Sequence, residues 1–437
     1  MSKAAEVVAL DRQHVWHPYT QEMTAPSPVP ISHAQGATLH GMDGRDYLDL
    51  ISSWWVTTHG HGHPVIAQAI AQQASQLEQV IFAGFTHEPA VRLASELVKR
   101  LPPGLSRVFY SDNGSTAVEA ALKMACQYWL NQGQQRTRIV VCQGGYHGDT
   151  VGAMSMGRSS GFFDAYESLL FQVDTIPFPA TWMGDDRVEE KEAAALKALD
   201  DYIDQHAGEC MALLVEPLVQ GAAGLRMCRR EFLQGVAQRL KQAGILLIFD
   251  EVMTGFGRTG SLFACQKAEV TPDIICLAKG LTAGFLPVSA TVCRQEIYQA
   301  FLGETFEKAF SHGHSFTANP IGCAAGVASL QLFETENTLQ RIAAIEAIHT
   351  RRLTELSTHP RLCRPRITGS IAAFELFQAE TGYDSGVVRR MKEFFLQRGM
   401  LMRPLGGVIY LLPPYCITAE ELNRAWDAVA ESLDQVP

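Results

Sequence analysis

The chain contains, at residues 245–260, the stretch ILLIFDEVMTGFGRTG. Five apolar residues precede Asp250 without interruption, which is typical of a strand buried on both faces of a parallel sheet. The glycine-rich segment after Asp250 ends the strand. A carboxylate at the end of so apolar a run is costly to bury unless a cation or hydrogen-bond donors meet it. This stretch therefore predicts an α/β domain with a polar site at the end of a strand.

Other segments repeat this pattern of a short apolar run followed by a polar or glycine-rich loop. The predicted strands are Arg107–Tyr110, Arg138–Cys142, Ala212–Val215, Ile245–Phe249 and Ile274–Leu277. Helical sequence lies between them, for example at Ser115–Leu130 and Arg230–Ala243. Alternating strands and helices predict a mostly parallel sheet that helices cover on both faces. Ligands bind at the carboxyl ends of the strands in such sheets, so the loops there are expected to hold the site.

The length of 437 residues exceeds that of a usual single domain. We expect a large sheet domain at residues 64–335 and a smaller α+β lobe at residues 336–437. That lobe begins with a predicted helix, Leu339–Leu356, and continues with the alternating pattern ITGSIAAFEL at residues 367–376. Residues 1–63 are expected to pack with the small lobe rather than to fold alone.

The composition narrows the class of protein. A formal net charge of -10, without any run of Lys and Arg, argues against a surface that binds nucleic acid. The ten cysteines occur singly and form no C-x-x-C pair, which argues against a zinc ribbon or a redox dithiol. No segment is apolar enough for a signal peptide or a membrane span. We therefore expect a cytosolic protein whose partners are small molecules and a second copy of itself.

Lys279 follows the next predicted strand after Asp250, in the sequence Ala278-Lys279-Gly280. A lone lysine after a strand is most often solvated, and Asp250 alone could equally be a metal ligand or an exposed strand-end residue. Together they predict more, because a desolvated lysine amine has a lowered pKa and becomes a nucleophile. A buried aspartate pairs with the protonated ring nitrogen of pyridoxal phosphate. The two residues therefore predict a pyridoxal phosphate site.

Two further loops supply groups for such a site. The sequence SDNGST at residues 111–116 opens a predicted helix, where the backbone N–H groups and the Ser115 hydroxyl could bind a phosphate. A simple N-cap by Ser115 or Thr116 explains the same residues equally well. Tyr146 could stack on the cofactor ring. The adjacent His147 is expected to pack or orient its neighbours, since Lys279 already supplies a base.

Three ordered blocks identify a family resemblance that spans essentially the whole chain. They are FDEVMTGFGRTG (249–260), PDIICLAKGLTAG (272–284) and HGHSFTANP (312–320). Their order and spacing resemble those of the class III aminotransferases of fold type I. The resemblance implies a mostly parallel seven-stranded sheet, a Schiff base between Lys279 and pyridoxal phosphate, and a homodimer with shared active sites. The cofactor-binding residues that it implies are Gly114, Ser115, Tyr146, Asp250, Lys279, His314 and Ser315, with His314 and Ser315 reaching the other subunit's site. The catalytic residues among these would be Lys279, Asp250 and Tyr146.

Narrower blocks resemble one branch of this class. They are WHPYT (16–20), SSWW (52–55), YHGDT (146–150), RPLG (403–406) and IYLLPP (409–414). Members of that branch act in biotin biosynthesis, where they transfer an amino group from S-adenosyl-L-methionine to 8-amino-7-oxononanoate. The substrate-site residues implied are Tyr19, Trp54, Tyr146, Lys279, Gly313 and Arg403. Without the resemblance, ordinary core packing would explain the tryptophan pair, with one of Trp54 and Trp55 in the core. Arg403 would be interpreted as part of a surface salt bridge.

The amino donor has two candidates. His314-Ser315 stands where many members that use S-adenosylmethionine carry Pro-Thr, and some relatives with His-Ser use lysine instead. The cofactor residues would also suit a class III enzyme acting on ornithine, 4-aminobutyrate or an omega-amino acid, an aminomutase, or a non-enzymatic protein that binds pyridoxal phosphate.

His59, His61 and His63 have a spacing compatible with a metal site, but we expect a glycine-broken loop without metal.

Overall fold

The computed structural model describes residues 2–377 and 385–436. The strands are β1 (Ile31–Gln35), β2 (Thr38–Gly41), β3 (Asp46–Asp49), β4 (Leu105–Ser111), β5 (Arg138–Cys142), β6 (Asp174–Ile176), β7 (Cys210–Val215), β8 (Val219–Gln220), β9 (Arg226–Met227), β10 (Leu246–Asp250), β11 (Ile274–Leu277), β12 (Ser289–Arg294), β13 (Leu362–Thr368), β14 (Ile371–Leu376), β15 (Met400–Leu401) and β16 (Val408–Leu411).

The helices are α1 (Lys3–His14), α2 (Ser52–Trp55), α3 (Pro64–Ala74), α4 (Glu88–Arg100), α5 (Gly114–Asn131), α6 (Val151–Met156), α7 (Val188–His206), α8 (Arg230–Ala243), α9 (Ala264–Ala268), α10 (Gln295–Ala300), α11 (Pro320–Thr335), α12 (Thr338–Leu356), α13 (Gly386–Gln397) and α14 (Ala419–Gln435). Short 3-10 turns cover Arg158–Ser160, Asp164–Leu169, Lys279–Thr282 and Phe306–Lys308. The segment α2 is a kinked turn, because Ser53 and Trp54 leave helical dihedral angles.

A 7-stranded sheet in the order β4-β12-β11-β10-β7-β5-β6 organises the middle of the chain. Strands β11, β10, β7, β5 and β6 are parallel to one another, and β12 is antiparallel to both β11 and β4. This confirms the mostly parallel sheet expected from the sequence. The five predicted strands correspond to β4, β5, β7, β10 and β11, with ends that differ by up to two residues. The remaining members, β6 and β12, were not among the predicted strands.

Each central strand is buried on both faces of the sheet. Ile248 and Ile274 belong to one apolar core, which the small side chains of α5 complete. Their neighbours Phe249 and Ile275 point to the opposite core, which includes residues of α4, α7 and α8. Burial on both faces explains why these strands are continuous apolar runs.

A further core joins the two ends of the chain. Leu48 and Leu50 pack there with residues of α12, α13 and α14, and β3 pairs in parallel with β15. The alternating segment expected near residue 370 forms the antiparallel pair β13-β14, to which β16 adds a third strand. The boundaries proposed after residues 63 and 335 stay a prediction. Within residues 2–377 and 385–436, no helix combines the length and apolar character needed to cross a bilayer.

Candidate active site

A cavity of ≈ 590 Å³ opens at the carboxyl ends of the central strands. Parallel strands β10 and β11 place Asp250 opposite Cys276, so the loops that follow both strands reach the same edge of the sheet. Five residues singled out in the sequence line this cavity: Gly114, Ser115, Tyr146, Asp250 and Lys279. Its size is that of a typical cofactor or ligand pocket.

Lys279 stands at the start of a 3-10 turn directly after β11. Its backbone is in the left-handed region, with φ 41°, which is unusual for a residue with a Cβ atom. The amine lies 5.3 Å from the centre of the Trp55 ring. Burial lowers the pKa of the Lys279 amine, and the carboxylates of Asp250 and Glu216 oppose that shift. A buried amine with a lowered pKa is a nucleophile suited to a carbonyl group.

Asp250 is only 4% exposed and is held by two neighbours. Its Oδ1 accepts a hydrogen bond from Val252 N at 3.0 Å, and its Oδ2 lies 2.7 Å from His147 Nδ1. His147 thus orients Asp250, as expected for a residue with a supporting role. The carboxylate is fixed at the wall of the cavity, where a cationic group of a ligand could meet it.

Glu216 is a site residue that the sequence patterns did not single out. It follows β7 and is 5% exposed, and it accepts hydrogen bonds from Tyr146 N at 3.0 Å and Gly221 N at 2.8 Å. Burial raises the pKa of Glu216 to about 7. Its position after a buried strand, in the sequence LLVEPLVQG, was the signal that could have revealed it.

The start of α5 forms another wall of the cavity. Asn113 is the N-cap, with Thr116 N donating to its side chain and Asn113 N donating to Thr116 Oγ1. This corrects the expectation of a cap by Ser115 or Thr116 and moves the helix start to Gly114. The Ser115 hydroxyl accepts instead from Asp149 N at 3.2 Å. The capped turn leaves the N–H groups of Gly114 and Ser115 at the cavity, which suits a phosphate.

Gly148 makes this close approach possible. It has φ 127°, and a Cβ atom there would lie 2.1 Å from Ser115 Oγ. A larger residue would therefore push the loop at residues 146–149 away from the helix start.

The groups around the cavity match the groups of pyridoxal phosphate. A buried amine suits the aldehyde, a buried carboxylate suits the protonated ring nitrogen, and a helix N-terminus suits the phosphate dianion. All three face one cavity. The chemistry of this set of donors and acceptors therefore fits the cofactor that the sequence predicts.

Tyr19, Trp54 and Arg403 form a cluster beside the cavity, here called the rim; they are not among the residues that line the cavity itself, and Tyr19 reaches it through the lining residue Asp149. Tyr19 Oη and Tyr146 Oη both donate to Asp149 Oδ1, at 2.9 Å and 3.1 Å. Burial, and secondly the hydrogen bond with Tyr19, raise the pKa of Tyr146. The Arg403 guanidinium lies 4.5 Å from the centre of the Trp54 ring. Tyr19, Trp54 and Arg403 thus lie around one rim, although the chain supplies them from three distant segments.

The two adjacent tryptophans have different environments. Trp54 is 37% exposed, whereas Trp55 is 5% exposed and donates from Nε1 to Tyr410 Oη at 3.0 Å. The prediction that one of the pair is a core residue is therefore confirmed, and that residue is Trp55.

Arg258 connects the segments around the site. It is 1% exposed, and its guanidinium donates to the carbonyl oxygens of Trp55, Thr57 and Pro413. Burial lowers its pKa. The glycine-rich loop around Arg258 thus supports neighbouring backbone and, unlike a dinucleotide-binding loop, does not open a long helix.

Gly313, His314 and Ser315 lie outside the cavity of their own chain. His314 Nδ1 is 3.5 Å from Asp112 Oδ2, and Ser315 O accepts from Gln79 Nε2 at 2.9 Å. Gly313 and Ser315 are exposed to solvent. This geometry gives them no contact with the cavity within one subunit.

The three histidines near residue 60 have separate partners. His61 Nε2 lies 2.8 Å from Asp49 Oδ2 and His63 Nε2 lies 2.9 Å from Glu336 Oε1, while His59 packs against Phe333. In the described part of the chain, no group of three or more His, Cys, Asp and Glu side chains is placed to hold a metal ion.

Known proteins resemble this chain in sequence and in fold. A family model described as class III aminotransferase matches residues 19–433. The adenosylmethionine-8-amino-7-oxononanoate aminotransferase of Synechococcus elongatus is 53% identical to this chain, over 97% of the chain and 99% of the relative. The crystal structure of the protein with that name from Methanocaldococcus jannaschii is 35% identical, with a TM-score of 0.92 and 99% of each chain covered. A PLP-bound amine transaminase from an uncultivated Pseudomonas species is 30% identical, with a TM-score of 0.89 over 97% of this chain and 98% of that one.

Proposed function

The chain belongs to the class III aminotransferases, which use pyridoxal phosphate, and we propose that it transfers an amino group from S-adenosyl-L-methionine to 8-amino-7-oxononanoate in biotin biosynthesis. The near full-length similarity to the Synechococcus elongatus relative, whose name states this donor and acceptor, is the observation that carries the proposal. The aromatic rim and Arg403 support it, because they suit a long aliphatic chain that ends in a carboxylate.

Three parts of the cavity would hold the cofactor. Lys279 Nζ would bind its aldehyde carbon, Asp250 would hold its ring nitrogen, and the N–H groups of Gly114 and Ser115 would bind its phosphate. Tyr146 would cover its ring. When bound, pyridoxal phosphate supplies an aldehyde that takes up the amino group and a protonated ring that accepts an electron pair.

The remaining steps belong to the side chains of the protein. Burial favours the neutral amine of Lys279, so Nζ can remove the proton from the amine-bearing carbon of the donor and later return one to the acceptor. The bond from His147 Nδ1 keeps the Asp250 carboxylate in place throughout. Arg403 would bind the carboxylate of the acceptor, and Trp54 and Tyr19 would enclose its chain.

A homodimer would complete each site. Apolar side chains near the segment at residues 312–315 are exposed in one subunit, with Ile81 at 64%, Phe85 at 63% and Phe316 at 62%. Burying them against a second copy would be favourable. Gly313, His314 and Ser315, which lie outside their own cavity, would then contact the partner's site.

We also place the enzyme in the cytosol, the compartment of its soluble substrates.

A direct assay tests the proposed reaction. Purified protein with pyridoxal phosphate, S-adenosyl-L-methionine and 8-amino-7-oxononanoate should form 7,8-diaminononanoate, which mass spectrometry detects. Replacing S-adenosyl-L-methionine with lysine, ornithine or 4-aminobutyrate should remove product formation. Turnover that requires lysine would support the other donor, which some relatives with His-Ser at the positions of His314 and Ser315 use. Conversion of 8-amino-7-oxononanoate into an isomer of unchanged mass, with no added donor, would indicate an aminomutase instead.

A further inference from the structure

The segment Ser52–Trp55 is held in a disfavoured backbone conformation. Ser52, Ser53 and Trp55 have φ angles of 53°, 59° and 66°. Residues with a Cβ atom rarely adopt the left-handed region, and three such residues in four positions require outside support.

This segment presents two aromatic rings to the site. Trp54 lies under the guanidinium of Arg403 and packs edge-on against Tyr19, with ring centres 5.8 Å apart. Trp55 faces Lys279. The conformation of the segment therefore sets the position of the rim relative to the cavity.

Asp49, at the end of β3, supplies the support. Its side chain is fully buried. Its Oδ1 accepts from Ile51 N at 3.0 Å, and its Oδ2 accepts from Ser53 N at 2.6 Å. His61 Nε2 lies 2.8 Å from the same Oδ2, and the backbone of His61 is itself fixed by a pair of hydrogen bonds with Gly36.

Trp54 depends on Asp49 more than Trp55 does. Trp55 has independent anchors, because its indole donates to Tyr410 and its carbonyl accepts from Arg258. Trp54 directly follows Ser53, whose N–H is the group bound to Asp49. Weakening this bond would therefore displace Trp54 first and leave the surroundings of Lys279 largely unchanged.

We propose that Asp49, oriented by His61, is a positioning residue that holds Ser52–Trp55 and thereby places Trp54 against Arg403 at the acceptor-binding rim. Asp49 is not among the residues that line the cavity, and its effect on catalysis rests on the proposed function. Asp49 acts through Trp54 and touches neither substrate nor cofactor. Its loss should raise the KM for the acceptor and leave kcat nearly unchanged.

The experiment uses holoenzyme labelled with 5-fluorotryptophan. The chain has six tryptophans. Single Trp→Phe substitutions assign the ¹⁹F resonance of each one. In Asp49→Asn, the Trp54 resonance should shift and broaden, while those of Trp129 and Trp426 stay in place. The KM for 8-amino-7-oxononanoate should rise about five- to tenfold, as expected for losing one partly desolvated cation–π contact.

Asp185→Asn is the matched control. Asp185 likewise has a buried side chain, 3% exposed, which pairs with the cation of Lys191 and accepts from Arg187 N and Thr181 Oγ1. Its nearest tryptophan is Trp182, whose carbonyl accepts from Asp185 N. This variant should move the Trp182 resonance, leave that of Trp54 in place and leave the KM unchanged.

A rescue separates positioning from general destabilisation. Glycine adopts left-handed conformations at no steric cost, so Ser53→Gly in the Asp49→Asn background should recover part of the lost affinity.

An Asp49→Asn enzyme whose Trp54 resonance and KM match those of the control would overturn the proposal. If Asp49→Asn does not fold, His61→Asn, which is too short to reach Asp49, should give a smaller shift of the same resonance. The ¹⁹F spectra do not depend on turnover, so failure of the proposed reaction would be recognised separately.

Discussion

Lys279 and Asp250 experience the same low-polarity cavity with different consequences. Burial favours the neutral form of the lysine amine, whereas Asp250 keeps two hydrogen-bond donors, Val252 N and His147. A neutral amine can attack a carbonyl group and move protons, and a supported carboxylate can hold a proton on a ring nitrogen. In the proposed mechanism, two side chains at neighbouring strand ends thus have complementary roles.

Lys279→Ala should lower turnover below about one ten-thousandth of the wild-type rate, because it removes both the nucleophile and the base. The visible absorbance band of the lysine-bound cofactor should disappear with it. Stopped assays and absorbance spectra of the same sample measure the two effects. Lys197→Ala, at an exposed helical ion pair, should change neither. Activity retained in Lys279→Ala would contradict the assignment.

Glu216 should make the stability of the apoenzyme depend on pH. Burial raises the pKa of Glu216 from 4.5 to about 7. The contribution of Glu216 to the free energy of unfolding is therefore fully present below pH 4.5, where the carboxyl is protonated in both the folded and the unfolded chain. It is lost as the pH rises through about 7, and the loss amounts to about 3 kcal/mol.

Urea unfolding of wild type and Glu216→Gln at pH 5 and pH 7.5 measures this effect. The wild type should lose stability relative to the variant on going to the higher pH, because glutamine cannot ionise. Exposed Glu231→Gln should follow the wild type at both values. A constant difference between wild type and Glu216→Gln across this range would show that Glu216 does not titrate there.

The sequence predicted single residues where their local surroundings were unusual. Asp250 and Lys279 each follow an uninterrupted apolar run, and this contrast is visible without a structure. Glu216 follows such a run too, but its importance comes from backbone donors in two other loops. Asp49 accepts from the nearby Ile51 N and Ser53 N, but its full burial and its contact with His61 come from tertiary packing, which the local sequence does not show.

At the scale of elements, strands were predictable when both faces were apolar. β11 is apolar throughout, and β10 is apolar up to its last residue, Asp250. β12 has Ser289 and Thr291 among its buried residues, and the Thr291 hydroxyl is satisfied by Ala117 O at 2.8 Å. β6 has only three residues. Polar content and short length hid these two strands, although both belong to the main sheet.

The capped start of α5 offers a test at this scale. Asn113→Ala should cost about 1 kcal/mol of stability, because it removes one half of the capping box. It should also weaken cofactor binding, since Gly114 and Ser115 would no longer be fixed. Titration of apoenzyme with pyridoxal phosphate, followed by absorbance, measures the affinity.

Thr418→Ala is the matched control for Asn113→Ala. Thr418 and Glu421 form an equivalent capping box at the start of α14, in the core shared by the chain ends. This variant should lose a similar amount of stability and keep its affinity for the cofactor. Equal affinities in the two variants would argue against a phosphate site at α5.

At the scale of the whole molecule, the middle of the chain supplies the residues proposed for catalysis, and its two ends supply Tyr19 and Arg403 of the rim. Lys279, Asp250 and the start of α5 belong to the large sheet region. Tyr19 and Arg403, which flank Trp54, come from opposite ends of the sequence. The apolar cores explain this arrangement, because one core joins residues near 50 to residues 345–436. If the rim binds the acceptor as proposed, substrate preference can change there without disturbing Lys279 and Asp250.

A mixture of two inactive variants tests whether the sites are shared between subunits. In Ser315→Asp, a carboxylate would repel the phosphate of the partner's cofactor, and in Lys279→Ala the nucleophile is absent. Either variant alone should be inactive. A hybrid dimer would keep one intact site, with Lys279 from one subunit and Ser315 from the other. After unfolding and refolding together in equal amounts, random pairing should restore about a quarter of the wild-type activity. Activity that stays absent although size-exclusion chromatography shows dimers would contradict the shared site. It would then place Ser315 in the site of its own subunit.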